Sequence, residues 1–271
     1  MNTDIKILSL DQVRTLAPAA FAPSKGAGLS DRYSHVNTSN VLTALLDDGW
    51  KVTDARQQRS LDVLHTKHEL TLVHPDLPDH REGRPQMKLG NSSNGSYAVR
   101  TMGGFLRFAC LNQNYTGLRV VSGVFHHVGG MLEDRVVAGA RLLRQNFDKV
   151  ISAYDLWATV ELSPEQQVDF ATRASALRWN PDDVTPWGEM GTRARRQQDT
   201  GNSLWSTYNR TQERLIRGGF EISTRVRDEA GNVTGVNVRR ARRVTSISAD
   251  QRINVGLWDL ATEFAGVEVA S

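Results

Sequence analysis

Three groups of arginines stand close together in the last third of this sequence: Arg193, Arg195 and Arg196; Arg210, Arg214 and Arg217; and Arg239, Arg240, Arg242 and Arg243. A guanidinium is planar, always charged and carries its donors in a fixed fork, so it suits bidentate contact with phosphate or carboxylate. Arg210, Arg214 and Arg217 share one stripe of a helix expected over 203–217, while Trp205, Tyr208, Gln212 and Leu215 share another that reads as core. A basic groove with nearby aromatic rings is how single strands are held without reading base edges. Earlier in the chain, Arg56-Gln57-Gln58-Arg59 follows a strand, and Lys67 lies between His65 and His68. The candidate contacts to a polyanion are therefore Arg56, Arg59 and Lys67 on the strand side. Arg210, Arg214, Arg217, Arg240 and Arg243 are their helical and hairpin counterparts. The turn Asn91–Ser96 offers backbone and hydroxyl donors to phosphate, although a plain tight turn explains it equally well.

Other chemistries find less support. His65-x-x-His68 followed by Glu69 has a zinc-like look, but it falls at a strand start and lacks both the His-Glu-x-x-His order and a third ligand. His126-His127 is weaker still. The sequence has no Gly-x-Ser-x-Gly elbow, no Gly-Lys-Ser or Gly-Lys-Thr phosphate loop and no dinucleotide fingerprint. Cys110, in the apolar run Phe105–Leu111, reads as a core residue and, being single, allows no intrachain disulfide. Asp47-Asp48, Glu133-Asp134 and Asp182-Asp183 are adjacent in sequence, and adjacent side chains do not face each other on a helix. No catalytic residue, metal or cofactor is assigned, and a binding protein is expected ahead of an enzyme. A metal-dependent nucleic-acid hydrolase would need His65, His68 or His74 to converge with carboxylates.

The charge is uneven. The chain has 271 residues and a formal charge of +3, with 27 Arg against 6 Lys. Residues 1–190 hold 20 basic and 21 acidic side chains, residues 191–252 hold 13 and 6, and residues 253–271 hold only three acids. A local excess of this kind focuses positive potential on one face. A solvated basic surface, or an acidic partner protein, is the competing reading, and an accessory protein that inhibits or binds a host protein, with no nucleic-acid role, is the further alternative. Hydrophobic residues make up 39%, enough for an ordinary core. Met1–Leu10 is interrupted by Asp4 and Lys6, and no apolar run approaches a membrane span. A protein of the reducing bacterial cytoplasm with no membrane partner is expected.

These side chains must be positioned by a mixture of elements. Short helices are expected from Ser9 and over Val41–Leu46, the second closed by Gly49. Strands are expected over 50–56, 68–74, 87–89, 97–101, 107–111 and 118–121. From Met131 one helix reads through Val150 and beyond. Ser163-Pro164-Glu165-Gln166 starts another, and further helices cover 203–217 and 250–264, separated by a hairpin over 221–238. The expected class is α+β: an antiparallel sheet with an early helix, then a helical, basic C-terminal half. Three regions follow: 1–29, an N-terminal helix with a flexible connector over 22–30; 30–155, the α+β core; and 156–271, a helical, arginine-rich region packed on it.

A series of short pieces in fixed order carries a resemblance. Ser30-x-Arg32-Tyr33, Thr38–Leu42, Gly49-Trp50, Arg56-Gln57-x-Arg59 and His65-Thr66-Lys67-His68 come first. Asn91-Ser92-x-x-Gly95-Ser96, Arg107-x-x-Cys110-x-Asn112, Asn202-x-Leu204-Trp205, Gln212-Glu213, Arg217-Gly218-Gly219 and Asn254-x-x-Leu257-Trp258 follow. Over residues 10–264 the chain resembles the plasmid- and prophage-encoded family known only as domain of unknown function nine-hundred-and-thirty-two. That family often has His-Asp where Ser93 and Asn94 stand, and a glycine where Gln113 stands. The departure speaks against an acid/base or metal role for the central turn and leaves a binding role. The order of helix, antiparallel strands and long helix also looks like the core of single-strand annealing proteins of the Red beta and RecT type. That likeness implies single-stranded DNA binding and strand annealing in phage or plasmid recombination, without nucleotide hydrolysis, by a homo-oligomeric ring or filament.

Overall fold

A computed structural model describes residues 5–109, 113–117, 122–127, 131–180, 184–185 and 192–266. The chain divides into two compact units, residues 1–150 and 151–271.

The first unit opens with α1 (Leu10–Leu16), which Ser9 and Gln12 start with a reciprocal capping box. Pro18 begins a single 3-10 turn to Phe21, because it can start a helix but cannot continue one. Residues 22–30, expected to be a connector, are tied down where the Gly26 amide donates to the Ser93 carbonyl at 2.7 Å. Helix α2 (Thr38–Asp47) is capped by Asn37 and buries Val41, Leu42 and Leu45. Gly49, at φ +99°, turns the chain into the sheet as expected.

The sheet is antiparallel, in the order β1 (Lys51–Gln57), β2 (His68–Val73), β3 (Gly83–Asn91), β4 (Val99–Arg107), β5 (Gln113–Tyr115). Strand β6 (Ser122–Phe125) also pairs with β4, beyond the stretch that β5 uses. Side chains alternate across a strand, so the register divides them into two faces. One face carries the cross-strand rows Ala55-Leu70-Leu89-Thr101 and Gln57-His68-Asn91. This face meets α2, whose Thr38 hydroxyl lies 3.0 Å from His68 Nε2, and α3 (Leu132–Gln145), whose Gly139 approaches Thr101. The opposite face carries Thr71-Lys88-Met102, Arg56-Glu69-Gly90-Arg100 and Gln86-Gly104-Tyr115, and it is largely polar and buried except for the half-buried Arg56 and Arg100.

The expected single helix from Met131 is in fact α3 followed by α4 (Phe147–Thr159), broken at Asn146. The Asn146 side chain donates to the Leu142 carbonyl at 2.9 Å, while its own backbone leaves the helical region. The apolar repeat hid the break because Leu143, Phe147 and Val150 remain in the core on both sides of it. The strand expected over 107–111 contributes only Arg107, as the last residue of β4. Its end, with Cys110, and the strand expected over 118–121 lie outside the described residues.

The second unit is built on aromatic packing. Helix α5 (Pro164–Ser175) begins where expected, with proline in its first turn, and Ser163 and Gln166 close a capping box there. Helix α6 (Leu204–Arg217) and α7 (Ile247–Phe264) pack together through Gln212, whose amide donates to Asn254 Oδ1 at 2.9 Å. Tyr154, Trp157, Trp205, Tyr208 and Trp258 form one cluster, with Trp157 and Trp258 centroids 4.8 Å apart. Such contacts add to the large apolar area these rings bury. The stripe Trp205, Tyr208, Gln212, Leu215 is core, as expected. A small sheet, β7 (Val184–Thr185), β8 (Glu221–Arg227) and β9 (Val233–Arg240), holds the expected hairpin. The fold is α+β: an early helix, an antiparallel sheet and a helical C-terminal half.

Candidate functional site

At the base of the β8–β9 hairpin the chain leaves β9 and runs back along the end of α6. The Gly219 amide donates to the Ala241 carbonyl at 2.8 Å, Ala241 donates to the Phe220 carbonyl at 2.8 Å, and Val244 donates to the Ile216 carbonyl at 2.8 Å. Gly218 makes this close approach possible. It sits at φ +62°, and a Cβ there would lie 2.5 Å from the Ala241 oxygen and 2.7 Å from that of Arg242. Between these segments opens a pocket of about 850 Å³ lined by Arg217, Arg239, Arg240, Arg242 and Arg243, with Gly219 and Ala241 between them.

Four of these arginines, Arg239, Arg240, Arg242 and Arg243, are exposed. Among the described residues no acidic side chain lines the pocket. Glu221 is Arg240's cross-strand neighbour, yet the two make no ion pair. Arg217 lies 3.9 Å from Glu213, at the pocket's edge. Underneath, Arg178 donates to the main-chain carbonyls of Leu215 and Arg242 and so fixes the wall from behind. Burial, and then the positive charge of Arg239, hold the Arg178 guanidinium below its ordinary pKa. A wall of like charges held by backbone bonds is arranged to receive negative charge, and a polyanion supplies it with several oxygens at once.

The other arginines expected at the site serve the fold instead. Arg210 is only 3% exposed. It donates to the carbonyls of Asp199 and Gly201 at 2.7 and 2.8 Å, to Gln167 Oε1 at 2.8 Å and to the Thr207 hydroxyl at 2.9 Å. Arg214, also buried, donates twice to the Arg193 carbonyl. Burial depresses the pKa of both. The expected arginine stripe is thus corrected: α6 has tertiary neighbours on its arginine side too, and only Arg217, on its last turn, reaches the pocket. Arg196 pairs with buried Glu213 at 2.9 Å, and Arg195 donates to the Gly218 carbonyl.

Arg56, Arg59 and Lys67 belong to the first unit. Arg56 donates to Glu69 at 2.7 Å and to the Tyr115 hydroxyl at 2.8 Å, and that hydroxyl in turn donates to Glu69 at 2.8 Å. This closed triangle on the polar face of the sheet makes Arg56 the counter-ion of a buried carboxylate. Lys88, beside it, donates to the Thr71 hydroxyl and to Gln113. Lys67 lies over the Tyr97 ring at 5.5 Å, whereas Arg59 is exposed. Arg239 and Arg242, part of the same sequence cluster but not among the expected contacts, line the pocket beside Arg240 and Arg243. Glu69, Lys88 and Tyr115 left no trace beyond being polar residues within strands.

The histidines have separate partners. His68 is buried between the Thr38 hydroxyl and the Thr66 carbonyl, and burial pulls its pKa down to about 4. His65 pairs with Asp62 at 3.0 Å, and His74 meets the Asp48 carbonyl at 2.9 Å. Among the described residues no three His, Cys, Asp or Glu side chains gather as metal ligands would. No described helix is long and apolar enough to cross a membrane.

Residues 27–253 match the family described as "Domain of unknown function (DUF932)". The chain is 28% identical over 263 residues to the UPF0380 protein YafZ of Escherichia coli (strain K12), which covers 94% of this chain and 90% of that protein. It is 29% identical, with the same coverage, to the UPF0380 protein YfjQ of the same organism. No solved structure matches it.

Proposed function

Because the chain belongs to the family described as Domain of unknown function (DUF932), whose name assigns no activity, we propose from its own surface that it binds single-stranded nucleic acid. The observation that carries this reading is the pocket of about 850 Å³ walled by five arginines, with no acid in its lining among the described residues. A single strand is flexible enough to lay several phosphates along such a wall. The use proposed for this binding is annealing of complementary strands in phage or plasmid recombination, without nucleotide hydrolysis, by a homo-oligomer in the cytoplasm. Assembly is supported by β9, the outermost strand of its sheet among the described residues. Its free edge presents backbone N–H and C=O groups to which a second copy can add a strand, and the exposed side chains of Val233, Val236 and Val238 add apolar surface on the strand's faces.

The test is a fluorescence anisotropy titration of the full chain with a labelled single-stranded oligonucleotide between roughly 50 and 200 mM salt. Binding that weakens steeply with salt is expected. The double substitution Arg240→Gln with Arg243→Gln should lower the salt slope by about 1.4, at about 0.7 for each phosphate that is no longer neutralised. No binding at about 50 mM salt, or equal competition by polyglutamate, overturns the reading in favour of an inert basic surface or an acidic protein partner.

A further inference from the structure

Three sequence pieces that the arginine pocket does not use meet elsewhere, in the first unit. Ser30-x-Arg32-Tyr33, the turn around Gly95, and His126-His127 together line a cavity of about 280 Å³. Its walls are fixed from several sides. Tyr33 stacks on His127, with centroids 4.6 Å apart and planes at 20°, and its hydroxyl donates to the Ser92 carbonyl at 3.0 Å. His127 is itself held between the carbonyls of Ser34 and Tyr97, at 3.1 and 3.3 Å. The turn is locked by Asn94, which accepts from the Ser96 amide at 3.1 Å and from its hydroxyl at 2.6 Å.

Gly95 sits at φ +73°, where a Cβ would lie 3.0 Å from Leu29 Cδ2 and 3.7 Å from Tyr33 Cε2. A side chain there would be strained and would crowd the ring wall, so glycine keeps the backbone close to Tyr33. The charge is one-sided. Arg32 and His126 are exposed at the rim, Ser30 adds a hydroxyl, and among the described residues no acid lines the cavity. Asp31, next to Arg32 in sequence, lies 3.7 Å from Lys25. The volume is near the lower end for small-molecule pockets, about 300 Å³, which fits one nucleotide but not a length of strand.

We propose that this cavity binds a nucleoside monophosphate group, with Arg32, His126 and the Ser30 hydroxyl on the phosphate and the Tyr33–His127 wall against the base. The required chemistry is a phosphate monoester joined to a flat ring. A free nucleotide and the 5′-phosphorylated end of a strand both present it. Arg32 supplies the bidentate contact, and the fixed rings supply a surface that needs no ordering on binding.

Isothermal titration calorimetry of the full chain with adenosine 5′-monophosphate, adenosine and inorganic phosphate tests this. The nucleotide should bind at least tenfold more tightly than either fragment, and Arg32→Gln should weaken it at least tenfold at unchanged melting temperature. Ser30→Ala, a smaller change at an exposed residue, should weaken it several-fold. Equal affinity for nucleotide and inorganic phosphate, or an Arg32→Gln variant that binds the nucleotide as the parent does, overturns the proposal. A 5′-phosphorylated oligonucleotide preferred over its 5′-hydroxyl form, with the preference lost in Arg32→Gln, assigns the site to strand ends. Nucleotide binding without that preference assigns it to free nucleotide. The nucleotide is titrated alone, so a failure of strand binding at the arginine pocket is read separately.

Discussion

At the scale of single residues, identical side chains of this chain do opposite work. Arg210 and Arg240 both belong to clusters conspicuous in the sequence, but Arg210 gives its donors to four internal acceptors while Arg240 faces the open pocket. Replacing Arg210 by Gln strands buried acceptors, and a loss of about 3 kcal/mol in stability is expected by denaturant titration. Arg240→Gln should alter stability by less than about 0.5 kcal/mol while weakening oligonucleotide binding. The reverse pattern would place the site on α6. A second residue-scale expectation concerns His68, whose pKa falls from the ordinary 6.5 to about 4 on burial. Between these values the unfolded chain binds more protons than the folded chain, so stability declines as pH falls from 6.5 towards 4 and His68 adds no further loss below that. The full difference is about 3 kcal/mol. Burial lowers His127 in the same direction, whereas the lowered carboxyls of Asp62, Glu165, Asp228 and Glu263 lose their contributions only at more acidic pH. Melting temperatures measured from pH 7 to pH 4.5 should fall, and His68→Gln should flatten that profile. An unchanged slope in the variant would mean that His68 is not buried neutral.

At the scale of elements, the Gly218-Gly219 corner decides whether Arg217 of α6 and the arginines of the 239–243 segment share a wall. Gly218→Ala combines an unfavourable positive φ with a clash against two backbone oxygens, neither of which can rotate away. A stability loss of about 2 kcal/mol is expected from the strain, and oligonucleotide binding should weaken although no arginine has changed. Retained binding in a folded Gly218→Ala protein would separate the pocket from the corner. Elements with a strong local signal were legible: the helix start at Ser163, the Gly49 stop and the hairpin all came from residues acting on their near neighbours. The break at Asn146 was not legible, because the apolar repeat continues through it. Strands β5 and β6 were missed because each is only three or four residues long and is defined by its pairing with β4.

At the scale of the whole molecule, the charge that pointed to a polyanion is local. The unit holding the arginine pocket has 15 basic and 16 acidic residues, whereas the first unit has 18 and 14. A small net charge beside a concentrated basic wall favours oriented contact over general adhesion, so binding should depend on the pocket more than on total charge. If copies assemble through β9 on a strand, electron microscopy with single-stranded oligonucleotide should show rings or filaments. Particles that stay monomeric at saturating oligonucleotide would overturn the annealing use while leaving the binding itself standing.

The sequence by itself determined the α+β class, most helix limits, the aromatic core stripe of α6 and the concentration of arginine over 191–252. All of these follow from local propensity, periodicity and composition. Only the tertiary structure decided which arginines are available. A guanidinium meets phosphate or a backbone carbonyl with the same donors, and what lies opposite it depends on segments distant in sequence. The same reason kept the cavity at Tyr33 out of sight: Arg32, Gly95 and His126 become neighbours only when the sheet and its loops close.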